Sequence, residues 1–172
     1  MKKRSVERKY LPEFVYGGID GAVTTFAVVS GVMGASLSSS IVLILGFANL
    51  FADGFSMAVS NYLSTKSEND LEKYKHNAKK TALATFVSFM IIGLIPLISF
   101  ILAAVTKSEY LITNQFTNSI ILTGFALLIV GWQKGKITGR SRIKSSLQTL
   151  LIGGTAAVVA FLVGFFVKRL IG

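Results

Sequence analysis

The chain of 172 residues has no cysteine, one histidine, two prolines and one tryptophan. Without cysteine there is no disulfide scaffold, no thiolate metal site and no thiol nucleophile, and the redox compartment leaves no mark. A single imidazole, His76, excludes most histidine-built metal centres and argues against a Ser-His-Asp triad. Charge is scarce as well. Only 15% of the residues are charged, and the eight acids are outnumbered by 18 Lys and Arg to give a net charge of +10. What is abundant is hydrophobicity, at 52% of residues with a mean hydropathy of +0.62. A soluble basic protein does not combine these values, and the length suits one domain.

The spacing of the charges gives the class. A bilayer-spanning helix needs about 20 mostly apolar residues at about 1.5 Å each. Residues 81–106, 110–133 and 145–167 contain no Asp, Glu, Lys or Arg. From Phe14 to Thr65 the run is broken only by Asp20 and Asp53, and a polar turn from Gly34 to Ser40 divides it in two. The expectation is an all-α integral membrane protein forming a single domain over 1–172. Its five transmembrane helices fall at about 14–35, 41–64, 81–105, 112–133 and 146–168.

Five spans place the termini on opposite sides, and Lys and Arg gather on the cytoplasmic side. The N-terminal tail, the second connection and the fourth connection each hold five basic residues, leaving only Lys107, Lys168 and Arg169 for the other face. The N-terminus is therefore expected in the cytoplasm. Because every basic cluster flanks a span, the charge reads as a topology signal that also meets lipid headgroups, and no nucleic-acid partner is expected. A cleaved signal peptide over 1–35 fits poorly, since the apolar run is too long and contains Asp20.

Asp20 and Asp53 are the only acids inside those five spans. A carboxylate near the bilayer centre costs about 2.5 to 3.5 kcal/mol, so function is the default reading. Counted from Phe14, Asp20 lies about 9 Å deep. Asp53, on a helix returning from the far side, lies about 12 Å from the same face. Asn49, Asp53, Met57 and Asn61 recur every four residues, with a drift of about 40° per step. Carboxylate, amide oxygen and thioether together suit a divalent transition metal better than Mg²⁺. The candidate metal-binding residues are thus Asp20, Asp53, Met57 and Asn49. Beside them run the small residues Ala48, Ala52, Ser56 and Ser60, while Gly17 and Gly21 form a GxxxG in the first helix. Such faces permit close helix approach, so tight packing is expected at the carboxylates. The glycines around Asp20 also offer a place to loosen the helix and expose carbonyls.

Gly18-Ile19-Asp20-Gly21-Ala22-Val23-Thr24-Thr25-Phe26-Ala27, Gly46-Phe47-Ala48-Asn49-Leu50-Phe51-Ala52-Asp53-Gly54-Phe55-Ser56-Met57-Ala58 and the later Leu150-Leu151-Ile152-Gly153-Gly154 resemble the vacuolar iron transporter family over essentially the whole chain. The resemblance implies a homodimer through helices 1 and 2 that exports Fe²⁺ or Mn²⁺ from the cytosol while protons move inward. Asp20 and Met57 match that family's metal ligands. Many eukaryotic members carry Glu where Asn49 stands and Gly where Asp53 stands, and they insert a Glu-rich cytoplasmic domain after the second helix. Here about 15 residues, from Lys66 to Lys80, join the spans, so that domain is absent. Within this short connection Glu68, Glu72 and His76 are spaced to collect a metal, but pairing with the neighbouring lysines on a solvated helix is the preferred reading.

The expected protein is a non-enzymatic transporter without a resident cofactor. Metal is its cargo, protons are its coupling ion, and a bacterial or archaeal plasma membrane is its location. The alternatives are an intramembrane aspartyl protease, which lacks its GxGD motif here, and a non-transporting membrane scaffold.

Overall fold

The structure is a computed structural model that describes residues 2–71 and 76–172. Among the described residues there are helices and no strands: α1 (Lys2–Gly34), α2 (Ser39–Leu71), α3 (Ala78–Gly93), α4 (Ile98–Thr106), α5 (Glu109–Ile137) and α6 (Arg142–Ile171). Five apolar segments are long enough to cross a bilayer: Tyr10–Gly34, Ser39–Leu71, Ala78–Thr106, Glu109–Ile137 and Arg142–Ile171. The expected five spans are present, with ends that extend further than the charge spacing indicated.

The third span differs from a simple rod. A 3-10 turn at Ile95–Leu97 separates α3 from α4, because Pro96 offers no N–H to the helical ladder and its ring crowds the preceding turn. The carbonyl of Pro96 is met by the hydroxyl of Ser119 on α5 at 2.6 Å, and Ser99 donates to the carbonyl of Gln115 at 2.7 Å. These two bonds supply in the apolar layer what water would supply outside it.

α1 is the central helix. It packs against α3 along one edge and against α6 along another, with α2 and α5 beside it. Its side chains Phe26, Val29 and Val32 join Val42 of α2, Leu97, Phe100 of α4 and Ala157 of α6 in the buried core. The α1 to α2 turn uses Ser36 at a positive φ of 51°, and α5 meets α6 through Gly139 at φ 67°. Asn77 caps α3 by accepting from the backbone N–H of Lys80 at 3.1 Å.

Candidate functional site

The GxxxG of α1 packs closely, as expected beside Asp20, and its partner is α3. A methyl group on Gly21 would stand 2.5 Å from the carbonyl oxygen of Phe89, and one on Gly17 would meet Ser88 and the Thr85 carbonyl of α3. The glycines therefore serve close approach to α3. α1 is an unbroken helix through Asp20, so no loosened backbone offers extra carbonyl ligands there. The carbonyl of Asp20 is itself engaged, accepting from Thr24 Oγ1 at 2.8 Å.

Helix α2 buries Val42, Gly46, Leu50 and Gly54, a strict every-fourth seam: Val42 joins the core, Gly46 faces Leu97 of the 3-10 turn, and Leu50 and Gly54 pack on α3. A side chain on Gly54 would touch the Phe89 ring at 3.2 Å, and one on Gly93 would meet both Leu50 at 2.7 Å and the Gly21 carbonyl at 2.9 Å. Phe89 and Gly93 are thus wedged between Gly21 of α1 and the Leu50 to Gly54 turn of α2. Each of Gly21 and Gly54 directly follows an aspartate. The two Asp-Gly pairs sit at one level because both glycines clasp the same α3 residue.

The candidate residues differ in burial. Asp20, Asn49 and Met57 are half-buried, whereas Asp53 is exposed. The predicted drift of the stripe is visible. Asn61, its last member, has turned fully onto α3, donating to Thr85 Oγ1 at 2.9 Å and accepting from Thr65 Oγ1 at 3.3 Å. Asn61 is therefore a packing residue. Asn49 at the other end has a buried Nδ2 with no partner among the described residues. The small stripe Ala48, Ala52, Ser56 and Ser60 is exposed along its whole length, so the packing expected there is not formed within the chain. No three His, Asp or Glu side chains converge among the described residues.

Glu13 escaped the sequence reading. The membrane-length segment starts at Tyr10, which brings Glu13 inside it. It lies seven residues before Asp20 and so on nearly the same face of α1, with a buried Oε2 that has no partner among the described residues. Starting the first window a few residues earlier would have found it. On its outward flank Asp20 lines a groove of about 460 Å³ between α1, the end of α5 and α6. At the end of α2, Glu68 accepts from Ser64 at 3.2 Å, and Asn69 ties both the N–H and the carbonyl of His76 at 2.7 Å. Glu72 lies outside the described residues.

The VIT family model matches residues 11–81 and 73–165. This chain belongs to the VIT family. Among its relatives, the vacuolar iron transporter of Plasmodium berghei (strain Anka) is 26% identical over 95% of this chain and 84% of its own length. The vacuolar iron transporter of Centaurea cyanus is 28% identical, covering 87% of this chain and 84% of its own. Vacuolar iron transporter 1 of Arabidopsis thaliana is 24% identical, covering 87% and 82%. The alignment with the P. berghei protein runs over 230 positions against the 172 residues here, so that relative carries residues this VIT protein lacks. The two segments of the family match overlap at 73–81, a range that ends in the first turn of α3 and falls within the Lys66 to Lys80 connection and its edge. The family's members are named as transporters, so this multi-pass membrane protein is not an enzyme and the protease alternative falls away.

Proposed function

We propose that this protein exports Fe²⁺ or Mn²⁺ from the cytosol in exchange for protons, using Asp20, Asp53, Met57 and Asn49 as metal ligands. The observation that supports the reading is the contact of both Gly21 and Gly54 with Phe89, which sets the Asp20-Gly21 and Asp53-Gly54 pairs beside one α3 residue. Carboxylate, amide and thioether donors accept a divalent transition metal, whereas a hard ion would favour oxygen donors alone. Metal and proton compete for the same carboxylate oxygens, so each outward metal step can be coupled to protons entering the emptied site. The metal is cargo, and the reading invokes no resident cofactor.

The working unit in this reading is a homodimer through α1 and α2. An exposed Asp53 facing lipid would cost about 2.5 to 3.5 kcal/mol, which a second protomer laid along the Ala48, Ala52, Ser56 and Ser60 stripe would offset. It would also bring a second set of acids to a site that gathers too few within one chain. With 15 of 18 basic residues on the side of the N-terminus, that side is cytoplasmic and the host is a plasma membrane.

Purified protein in vesicles tests this. Fe²⁺ and Mn²⁺ uptake driven by a pH gradient is expected for the wild type, with loss of at least about tenfold for Asp20→Ala and for Asp53→Ala, as expected when a charged ligand is removed. Because protons displace metal, affinity should fall as the pH on the binding side falls. Unchanged transport in both variants would remove the site, and absence of metal flux with dimers intact would favour the scaffold reading.

A further inference from the structure

The turn joining α5 to α6 carries Lys134, Lys136, Arg140, Arg142 and Lys144, and no acid follows Glu109 in the chain. Two of these bases rest on the lone tryptophan: Arg142 lies 4.8 Å from the centroid of the Trp132 ring and Lys136 lies 6.0 Å from it. An aromatic ring beside bases at a span end marks the headgroup level of a bilayer. α6 begins in the same turn, and its first N–H groups add to the positive potential.

Lys134 has a different setting. It is half-buried at one end of the groove that Asp20 lines, where Val15, Ile19, Val23 and Ile152 form an apolar wall. Among the described residues no carboxylate pairs with it. From Pro12 to Val23, both on the groove, α1 advances about 16 Å. One leaflet of the hydrocarbon core is about 15 Å thick. The groove therefore has the length of one acyl chain, apolar walls, and a cation at the end where a headgroup would lie. A divalent cation would be repelled at that end, so the groove does not suit the metal's approach to Asp20.

We propose that this groove binds one chain of an anionic glycerophospholipid whose phosphate rests on Lys134 and the α5 to α6 turn. The chain covers the outward flank of Asp20 and keeps water and stray cations from reaching the carboxylate sideways. The inference is independent of the transport reading, because lipid retention is measured without metal and without flux.

Native mass spectrometry of the full chain, supplied with phosphatidylglycerol or phosphatidylcholine, tests it. The wild type is expected to retain one phosphatidylglycerol per protomer in preference to phosphatidylcholine. Lys134→Glu lowers that retention about tenfold by removing one cation and adding an anion. Ile152→Trp, which fills the groove, lowers it similarly, and the exposed Lys107→Glu leaves it unchanged. The unaltered protein supplies a second readout, since Trp132 is its only tryptophan and its fluorescence should be quenched more by brominated phosphatidylglycerol than by brominated phosphatidylcholine. Equal retention of the two lipids overturns the proposal. So does loss in Lys134→Glu without loss in Ile152→Trp, which would leave the basic turn as the whole site. Efficient disulfide formation between protomers carrying Ile152→Cys also overturns it, by placing a second copy over the groove.

Discussion

The α1 seam and the α2 stripe are built from the same kind of residue and end in opposite situations. On α1, Gly17 and Gly21 are buried against the backbone of α3 so closely that no side chain fits. On α2, Ala48, Ala52, Ser56 and Ser60 face outward, with Asp53 at their edge. Small residues every fourth position let another helix approach; they do not say whether that helix belongs to the same chain. The choice falls to the neighbouring face. α2 has a second seam, Gly46, Leu50 and Gly54, that takes α3 and the 3-10 turn after it and leaves the alanine and serine stripe unused within the chain.

The largest effect that could break this contrast lies on α1. Gly21→Leu would drive a side chain into the Phe89 carbonyl, with backbone on both sides and nothing flexible to yield. A cost of about 3 kcal/mol or more is expected, read as loss of monodisperse protein in detergent. The matching change on α2, Ala52→Trp, should leave the protomer folded and weaken self-association at least about tenfold, or 1.4 kcal/mol, in cross-linking or analytical ultracentrifugation. If Ala52→Trp unfolds the protein instead, the stripe is an internal seam and the contrast fails. The absence of native cysteine sharpens this test, because Ser56→Cys alone should yield a disulfide-linked dimer while Leu170→Cys should not.

A smaller effect is expected at Asn61, which bridges α2 to Thr85 and Thr65. Asn61→Ala should cost about 1 to 2 kcal/mol in thermal unfolding, since it leaves hydroxyls half-satisfied in an apolar layer. Ser64→Ala is the smallest: its exposed bond to Glu68 should be worth less than about 0.5 kcal/mol and leave unfolding unchanged.

Much of the fold was legible before any coordinates. Long uncharged runs have only one way to satisfy their backbone in lipid, so five helices followed from counting. Constant helical rise along an antiparallel pair also made it an expectation that the two acids lie near one another, and both Asp-Gly pairs do meet Phe89. The break at Pro96 was not read, although the proline that causes it was in view. Nor was Glu13, one residue before the apolar run that opens at Phe14, because span edges are set by packing and lipid as well as by composition.

The partner of each helix face lay beyond reach of sequence patterning. Asn49, Asp53, Met57 and Asn61 share one stripe in the sequence, yet the slow drift carries Asn61 onto α3 and leaves Asp53 exposed. That a phenylalanine on a third helix, Phe89, would set the two Asp-Gly pairs level could not be read from either pair. Periodicity and charge spacing are local properties and dictate spans and acid depths by themselves. Which faces meet depends on how all the seams compete for a few neighbours at once, and only the packed helices resolve that competition.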